Sequence, residues 1–514
     1  MRVSPRARDP AGGSTTGWSL GAGASYLLAG GLVVSVCEVK PVLLQLLPRR
    51  CLGGFSWPGC VALHVEAGDL RCHPEAVGVV DMNRDKMTET SIWVGLLDLD
   101  DPRPVTGVSG PLSDRHGQAR ILVRMHGAPI GYVSVSATPE ETLTARARTA
   151  AETILAEPLR RHAQCDDQSL DPSNSKQWAG RVACPRQFAT RDGFGVTVVI
   201  CSRDRTPGLG ESLRTIQQVT YDPFEILVVD NAPTGNETRE LVTTLAQDDP
   251  RIRYTCESRP GLSRARNHGL TQAKFDVVAF TDDDTQVDPA WLAAIDAGFA
   301  ADPEAVCVTG LVASSALNTG SERYFDSRYS WGEAFEPRRY DLVAHRHPSG
   351  LYPFSAGIFG TGANFAVRRS VVDRLGGFDP LLGAGGPGRG GEDLDMFLRL
   401  ILAGGRICYL PSALVWHQHR SDTEALSEQI YSYGYGLGAY LAKHLLGGQL
   451  PTVLLGHGLR QTRVVLGRMR RASQAGQMRT GGKRLALNEA RGVLAGALCY
   501  YRASRRTSRS PELQ

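Results

Sequence analysis

The residues best suited to chemistry are three consecutive aspartates, Asp282, Asp283 and Asp284, at the end of the apolar stretch VVAFT. Adjacent carboxylates repel one another, so such a run favours a bound divalent cation or a cluster of donors. In an extended backbone, Asp282 and Asp284 project to the same side while Asp283 points away. A cation held there would neutralise a diphosphate leaving group in a transfer reaction. A solvated acidic turn or a helix cap is the alternative, and the neighbouring elements must decide between them.

The segments around the triplet alternate between buried strands and helices. The stretches VTVVICSRDR, FEILVVDNAPTG and VVAFTDDD are each predicted to be a strand that ends in polar residues, with helices between them. This alternation indicates a mostly parallel sheet with helices on both faces. Ligands bind outside the carboxyl ends of such strands, so Ser202, Asp230 and the triplet are expected to converge along one edge.

Two further groups could bind a nucleotide at that edge. Asp230 ends an apolar strand and is suited to accept hydrogen bonds from a base or ribose, although it could equally cap the next helix. Arg264 and Arg266 lie beside Asn267 near a helix start, where the helix dipole and the guanidinium groups favour phosphate. Their alternative role is surface solvation.

A second group of acids follows the glycine-rich stretch GAGGPGRGG. Glu392, Asp393 and Asp395 open the apolar-periodic helix LDMFLRLILAG, where acids ordinarily only complement the dipole. The flexible stretch before them suits a lid that closes over a substrate and excludes water. A carboxylate between Glu392 and Asp395 has reason for a raised pKa, which favours a general base at Asp393.

Taken in order, these motifs resemble family 2 glycosyltransferases of the GT-A fold, which are inverting and depend on nucleotide sugars. The resemblance is carried by VTVVICSRDR, ILVVDN, GLSRARNHG and VVAFTDDD, and then by FGTGANFAVRRS, LGGFDP and GGEDLDMFLRLILAGGRICYLPSALVWHQHR. It covers about residues 195 to 446, and the ordered combination is far more specific than any one motif.

The resemblance implies roles for the matching residues. Asp230 would bind the nucleoside, and the triplet would hold Mn²⁺ or Mg²⁺ and contact ribose, with Asp284 as the expected direct ligand and its partner, Asp282 or Asp283, left open. Asp393, beside Glu392, would deprotonate the acceptor hydroxyl for one in-line displacement that inverts the sugar. The expected nucleotide-sugar contacts are Ser202, Arg203, Asp230, Arg264, Arg266, Asn267, Asp282, Asp283 and Asn364.

Several other residues have a functional and a structural alternative. His417, which is preferred to His419, would be a metal ligand or a pyrophosphate contact by the same resemblance, or a structural residue after a buried strand. Asn364 in GTGANFAV could bond sugar hydroxyls or form a tight strand entry. Trp331 and Trp416 could stack on sugar rings or belong to the core.

The composition narrows the function classes. The 514-residue chain is 42% hydrophobic and 21% charged, which is typical of a globular protein with two or three domains. Its net charge of +4 is too small to indicate a nucleic-acid partner. Its eleven cysteines form no CxxC pair, which favours reduced thiols in the cytoplasm.

The predicted organisation is α/β: a GT-A domain at 195–446, preceded by a small accessory α+β module at 87–163 and a linker at 164–194, and followed by a basic helical tail at 447–514. In the module, PEETLTARARTAAETILAEPLRRH predicts one amphipathic helix. Residues 1–86 form an atypical extension, disordered or preceding the real start at Met82 or Met87.

Two segments bear on the membrane. The uncharged stretch from Gly17 to Cys37 has the length of a bilayer span but is interrupted by glycines and flanked by basic residues at both ends. The basic tail could lie on an anionic membrane surface, at the inner face, or cap the catalytic domain.

The sequence therefore predicts an inverting glycosyltransferase. The donor is a nucleotide-diphosphate sugar, and the acceptor hydroxyl belongs to a polysaccharide, a lipid-linked molecule or a small molecule. A nucleotidyltransferase is a weaker alternative because CSRDRTPG lacks the expected glycine-rich loop. A non-catalytic sugar-nucleotide scaffold would be expected to lack Asp284 or Asp393, and both are present.

Overall fold

The computed structural model describes residues 26–29, 32–35, 91–137, 140–166, 193–329, 332, 334–355, 357–448 and 481–507. The chain divides into two compact units, Met1–Met82 and Asn83–Gln514. In the first unit, β1 (Tyr26–Ala29) pairs antiparallel with β2 (Leu32–Ser35), and both lie within the stretch from Gly17 to Cys37. The rest of that stretch and most of the predicted linker lie outside the described residues. Within the described ranges, no helix is long and apolar enough to cross a membrane.

The second unit begins with a small sheet covered by helices, here called the N-terminal module. Its elements are β3 (Ser91–Asp98), β4 (Thr106–Gly107), β5 (His116–Met125), β6 (Ala128–Ser136), α1 (Glu140–Ile154) and α2 (Ala156–Asp166). The strands follow the order β4, β3, β5, β6, with β3 and β5 parallel.

The helix predicted as one continuous element in this module is interrupted, so that prediction was wrong in detail. The helix breaks at Leu155, and α2 has Pro158 in its first turn. Proline lacks the N–H donor, and its ring clashes with the carbonyl four residues earlier, which here is Ile154. Leu143, Ala147 and Ala151 are buried against the sheet, as the apolar periodicity of α1 predicts.

The remainder of the unit is organised on a larger mixed sheet. Its first half contains β7 (Val196–Ser202), α3 (Thr206–Gln217), β8 (Phe224–Asn231), α4 (Glu237–Asp248), β9 (Ile252–Glu257), α5 (Leu262–Gln272), β10 (Val277–Asp282), β11 (Thr285–Val287) and α6 (Trp291–Ala301). Its second half contains β12 (Ala305–Ser314), α7 (Gly320–Tyr329), β13 (Arg338–Tyr340), β14 (Asn364–Arg368), α8 (Arg369–Arg374), α9 (Glu392–Leu402), β15 (Arg406–His417), α10 (Thr423–Leu446) and α11 (Gly481–Thr507).

The strand order is β11, β15, β12, β14, β10, β7, β8, β9, with β13 beside β15. Neighbours from β10 to β9 are parallel, as are β12 and β15, whereas β14 runs antiparallel between β10 and β12. The two faces of β7 bury Val198 and Val199 in different hydrophobic clusters, so both faces of the sheet are covered. The predicted mixed α/β architecture is therefore confirmed.

The parallel register brings the polar strand ends together. Ser202 lies opposite Asp230, and Asp282 lies opposite Cys201. This edge is the place where open α/β sheets bind ligands.

The N-terminal module shares a hydrophobic core with the large sheet. Val94 and Leu122 of the module pack with Leu311, Leu414 and Trp416. The aromatic ring of Trp416 is therefore a core group. Burying apolar side chains on both sides of this contact favours one rigid body over two loosely tethered domains.

Helices α10 and α11 pack through glycines and run in the same direction. The Asn488 amide donates to the Ser427 carbonyl at 3.1 Å, and Gly438 lies against Val493 further along both helices. A Cβ at position 438 would lie 2.0 Å from the Val493 carbonyl oxygen, which no side chain could tolerate. The predicted helical tail is thus present at 481–507, while 449–480 and 508–514 lie outside the described residues.

A buried carboxylate joins α9 to α10. Asp395 is fully buried and forms ion pairs with Arg399 at 2.8 Å, Lys443 at 2.8 Å and His444 at 3.1 Å. Burial opposes ionisation, but the hydrogen bond from His444 and the charges of Arg399 and Lys443 lower the pKa of Asp395 to about 2. Asp395 is therefore anchored in the helix contact, away from Asp393.

We expect Asp395→Asn to lower the free energy of unfolding by about 3–5 kcal/mol at neutral pH, because it leaves buried cations without their partner. The pKa of Asp395 is lower in the folded protein than its value of about 4 in the unfolded chain, so the ionised carboxylate stabilises the fold above about pH 4. This stabilisation is lost as the pH falls towards 2. The difference between the variant and the parent protein in urea denaturation should therefore shrink between pH 5 and pH 2. Glu211→Gln breaks an exposed ion pair with Arg214 and should cost less than about 1 kcal/mol. Equal costs for both variants would contradict the role of Asp395.

Candidate active site

The aspartate triplet occupies the turn between β10 and β11. Asp282, Asp284 and His417 each offer one ligand atom, and these atoms all lie within 4.8 Å of one another. The side chain of Asp283 faces elsewhere, where it accepts hydrogen bonds from Ser202 Oγ at 2.7 Å and Arg205 at 2.6 Å. The turn after β10 therefore directs Asp283 away from the other two carboxylates. The structure thus pairs Asp282 with Asp284.

The sheet topology delivers His417 to the triplet. His417 ends β15 and lies opposite Thr285 of the antiparallel strand β11. Its Nε2 is 3.2 Å from Asp284 Oδ1. Two carboxylates and an imidazole are a donor set that suits Mn²⁺, and carboxylates alone suit Mg²⁺. These residues therefore fit a divalent cation.

The electrostatics of the turn also fit a cation. Burial raises the pKa of Asp282 to about 7 and that of Asp283 to about 6. Although burial opposes both shifts, the ion pair between Asp284 and His417 lowers the pKa of Asp284 and raises that of His417. Arg205 also donates to Asp284 at 2.8 Å. A divalent charge would allow the three carboxylates to be ionised together.

A chain of hydrogen bonds extends from His417 into the protein. His417 Nδ1 is 3.3 Å from His419 Nδ1, and His419 Nε2 is 2.8 Å from Ser314 Oγ. Ser314 donates to Asp326 at 2.5 Å, and Asp326 pairs with Arg120 of the N-terminal module. We call these five residues the histidine relay.

Asp326, the acceptor at the far end of the histidine relay, determines the direction of the hydrogen bonds along it. Because the Ser314 proton goes to Asp326, the Ser314 oxygen accepts from His419 Nε2–H. Burial lowers the pKa of His419 to about 3, so its Nδ1 carries a lone pair and accepts from His417 Nδ1–H. When His417 is neutral, this arrangement leaves its Nε2 with the lone pair that faces the carboxylates, whereas in the ion pair with Asp284 the Nε2 carries the second proton. Such outer contacts fix the tautomer and orientation of a metal-binding histidine.

Arg266 connects the triplet to the second acidic group. Its guanidinium donates to Glu392 at 2.9 Å and to the Gly362 carbonyl at 3.0 Å, and it lies 3.7 Å from Asp282. Arg266 is buried, so it lies beneath the edge of the sheet and not on a phosphate-binding surface. The N–H of Gly362 in turn donates to Asp393 Oδ2 at 2.8 Å.

The two acids that begin α9 have different surroundings. Asp393 is half-buried, and its other oxygen accepts from the Leu394 N–H at 2.8 Å. Glu392 is buried, and burial raises its pKa to about 7 with a further contribution from the charge of Asp393, while Arg266 opposes the shift. Glu392 thus holds Arg266, whereas Asp393 is oriented by backbone donors and is accessible.

Asp230 lies at the same edge in a buried environment. Its Oδ2 accepts from Tyr254 at 2.9 Å, and its Oδ1 is buried without a hydrogen-bond partner in the described part of the chain. Burial raises the pKa of Asp230. The N-cap of the next helix is Asn236, so Asp230 does not have its alternative role.

Four other predicted residues have distinct positions. Arg203 is exposed at the mouth of the edge, and Arg264 is half-buried on the first turn of α5. The Asn267 side chain bonds both backbone groups of Phe378, and Asn364 is buried with its amide bonded to the Leu311 and Ala413 carbonyls. The amides of Asn267 and Asn364 therefore hold the scaffold in this structure. The position of Trp331 lies outside the described residues.

Sequence reasoning missed two residues at the site. Arg205 was overlooked although it follows Ser202 in CSRDR, where a cation near an acidic triplet is a usable signal. Tyr254 was overlooked because nothing local in RIRYTCES distinguishes it from a half-buried strand residue. Only the pairing of β9 with β8 places Tyr254 near Asp230.

We expect Asp284→Asn to abolish stabilisation by Mn²⁺, because it removes a charged ligand and the partner of His417. Asp283→Asn, whose side chain faces Ser202 and Arg205, should retain it. Because the pKa of His417 is raised, protons compete for its Nε2, and Mn²⁺ affinity should increase as the pH rises from about 6 to about 8. Thermal unfolding over a Mn²⁺ titration measures both effects. An Asp284→Asn protein that binds Mn²⁺ normally would contradict the assignment.

We expect Asp326→Asn to weaken Mn²⁺ binding by roughly tenfold, because asparagine can donate to Ser314 and reverse the relay. Arg124→Ala is a matched control, since it breaks a contact of the N-terminal module with Asp288 at 2.8 Å without touching the relay. Isothermal titration with Mn²⁺ compares the two variants. Equal losses in both would mean that only the packing of the module matters.

Comparison with known proteins agrees with this geometry. Residues 193–432 match the family model described as "Glycosyltransferase like family 2". The chain is 29% identical over 278 residues to a pre-mycofactocin glycosyltransferase of Mycobacterium tuberculosis, covering 54% of each protein. It is 24% identical over 249 residues to a glucosyl-dolichyl phosphate glucuronosyltransferase of Haloferax volcanii, covering 47% of this chain and 75% of that protein.

The chain thus spans about half the length of the mycobacterial relative. A solved mannosyltransferase of Pyrobaculum calidifontis, in complex with GDP-Man and Mn²⁺, covers 70% of this chain and 86% of its own at 20% identity. The TM-score of this comparison is 0.38. The ordered motifs, the mixed α/β sheet and the family match agree, and residues 193–432 of this chain are similar to the family 2 glycosyltransferases.

Proposed function

We propose that the chain is an inverting glycosyltransferase that moves a sugar from a nucleotide-diphosphate donor to an acceptor hydroxyl. The observation that carries the proposal is that the buried guanidinium of Arg266 connects two groups of carboxylates. The cation-binding group of Asp282, Asp284 and His417 lies on one side of Arg266, and Asp393 lies on the other. Leaving-group stabilisation and acceptor activation would then occur within a single cleft.

The donor nucleoside would bind at the carboxyl end of β8. The unpartnered Oδ1 of Asp230 is a buried acceptor that a base N–H or a ribose hydroxyl would satisfy. Arg205 contacts the triplet while keeping a side-chain exposure of 39%, so it can also face a phosphate. Arg203, exposed beside it, is a second candidate for the diphosphate.

The diphosphate would leave from the triplet. Mn²⁺ or Mg²⁺ held by Asp282, Asp284 and His417 would supply Lewis-acid stabilisation of the charge that develops there. The protein positions these ligands through the β10–β11 turn, which is held by Thr285 donating to the Asp282 carbonyl at 2.7 Å. The histidine relay keeps the Nε2 lone pair of His417 directed at the same point.

Asp393 would accept the proton of the acceptor hydroxyl. Backbone N–H groups of Gly362 and Leu394 each bond one carboxylate oxygen, which fixes its orientation without a neutralising cation. Each oxygen keeps a further lone pair for the hydroxyl proton. Glu392, held by Arg266 at 2.9 Å, is a positioning residue in this proposal and not a second base.

The two relatives support sugar transfer as the common chemistry. Their names describe different acceptors, pre-mycofactocin in one case and glucosyl-dolichyl phosphate in the other. We therefore assign the reaction class to residues 193–432 and treat the acceptor separately.

We expect Asp393→Asn to reduce transfer by about 10²–10⁴-fold, because the amide cannot accept the hydroxyl proton. Nucleotide-sugar affinity should stay within about twofold, since donor binding depends on Asp230 and the triplet. A panel of UDP, GDP and dTDP sugars with Mn²⁺, scored by thermal stabilisation, first identifies the donor. Nucleoside-diphosphate release with candidate acceptors then compares the variant with Asp373→Asn, an exposed control on α8.

Stabilisation by none of the donors would contradict the proposed function as a whole. Full activity of the Asp393→Asn protein would remove Asp393 from the role of base. Loss of donor binding together with loss of transfer would instead place Asp393 in the donor site.

A further inference from the structure

Helix α11 has an inner face that is fully occupied. Leu485, Gly492, Gly496 and Tyr500 recur at helical spacing and are buried against the body of the domain. A Cβ at position 496 would lie 1.9 Å from the Tyr435 carbonyl oxygen, so the backbones of α10 and α11 are in direct contact. This side of the helix has no surface left for a partner.

The opposite face of α11 carries large apolar side chains in solvent. The exposed fractions are 62% for Leu487, 75% for Leu494, 48% for Leu498 and 38% for Tyr501. Their spacings of seven, four and three residues place them on one line along the helix. We call this line the outer stripe. Isolated exposed leucines are common in soluble proteins, but an aligned set marks an interaction surface.

Arginines occupy the remaining positions of the same face. Arg484, Arg491 and Arg505 are exposed and lie three or four residues from a member of the outer stripe. Arg502 and Arg506 extend the positive charge at the end of the helix. Long arginine side chains can lie along an apolar surface while their guanidinium groups reach a polar layer.

The helix α11 itself carries little negative charge. Glu489, the acidic residue in the sequence of α11, pairs with Arg328 on α7. From Gly447 to the end of the sequence, the only other acid is Glu512. The partner of the outer stripe must therefore combine an apolar layer with negative charge.

We propose that the outer stripe binds the surface of an anionic lipid bilayer, with α11 lying parallel to the membrane plane. The leucines and Tyr501 would enter the boundary of the acyl chains, and the arginines would contact anionic headgroups. A second copy of the chain fits less well, because a symmetric contact through this face would bring arginines close to arginines.

The inner face of α11 connects this surface to the proposed base. Tyr500 Oη donates to Asp379 Oδ2 at 2.9 Å, and Cys499 Sγ is 3.4 Å from the Pro387 carbonyl oxygen. Both partners belong to the glycine-rich segment 379–391 that leads directly to Asp393. The membrane would thus lie one helix diameter, about 10 Å, from the segment that borders the acceptor side.

This position favours an acceptor carried on a lipid. That extension rests on the proposed function, because it needs Asp393 to activate the acceptor hydroxyl. Binding of the outer stripe to a bilayer does not depend on it, and a protein that bound vesicles but no nucleotide sugar would contradict only the proposed function.

The test is co-sedimentation of the full chain with phosphatidylcholine vesicles, with and without about one third phosphatidylglycerol. We expect binding to the anionic vesicles that is at least about tenfold stronger than to the neutral ones and that weakens in high salt. Leu494→Glu combined with Leu498→Glu should reduce binding at least about tenfold, because both side chains would have to enter the acyl boundary as carboxylates. Ile154→Glu is the matched control, since Ile154 is 61% exposed on α1 of the N-terminal module.

The variants should keep the thermal unfolding temperature of the parent protein, because the substituted side chains lie in solvent. Arg484→Gln combined with Arg491→Gln should lower binding to anionic vesicles while leaving any residual binding to neutral vesicles unchanged. The proposal is overturned if the parent chain stays in solution with anionic vesicles, or if the double glutamate variant binds as well as Ile154→Glu. A dimer of the parent chain that dissociates only in the double glutamate variant, seen by light scattering, would assign the stripe to a second copy.

Discussion

The site depends on the contacts that the buried guanidinium of Arg266 makes. Removing a charged group from water costs several kcal/mol unless partners compensate for it. Arg266 has Glu392 and the Gly362 carbonyl as hydrogen-bond partners, and Asp282 within 3.7 Å. The rings of Phe280, Phe365 and Phe378 surround it, with centroids 5.4 to 5.7 Å from the guanidinium carbon. A lysine ammonium could not satisfy this planar set of acceptors and aromatic faces.

The arrangement of Arg266 links the stability of the fold to the proposed chemistry. The residue comes from α5, whereas its partners come from β10, the segment before β14, and the first turn of α9. These elements can satisfy the charge only when all of them are in place. The orientation of Asp393 follows from the same contacts, because Gly362 accepts from Arg266 and donates to Asp393. Positioning through packed, buried groups is what allows a carboxylate to act with a fixed geometry.

The N-terminal module also bears on the site. It shares a core with β12 and β15 and extends the histidine relay through the pair between Arg120 and Asp326. Since β15 carries His417 and β12 carries Ser314, contacts of the module brace both strands that support the cation-binding group. The predicted accessory module is thus in contact with the strands that carry the candidate site. At the other end of the chain, α11 closes over the glycine-rich segment and presents the outer stripe to the surroundings.

The sequence by itself determined the features that depend on local periodicity. Continuous apolar runs that end in polar residues predicted the parallel strands, and strict alternation placed Asp282 and Asp284 on the same side of the chain. The strand-end position of Asp230 and the acids that begin α9 followed in the same way. A single helix was predicted where Pro158 divides α1 from α2, because amphipathic periodicity continues across a break of one residue.

The tertiary structure decided which distant groups meet. His417 reaches the triplet because β11 pairs with the end of β15, and Arg120 reaches the relay because the N-terminal module packs on β12 and β15. Arg266 and Asn364 are buried and Asn267 bonds the backbone of Phe378, so these expected ligand contacts hold the scaffold, and one oxygen of Asp230 is without a partner among the described residues. Local patterns specify which face of an element is apolar, but not which charged groups the packed elements will enclose together. A candidate cation site differs from a solvated acidic turn because packing brings Asp282, Asp284 and His417 together.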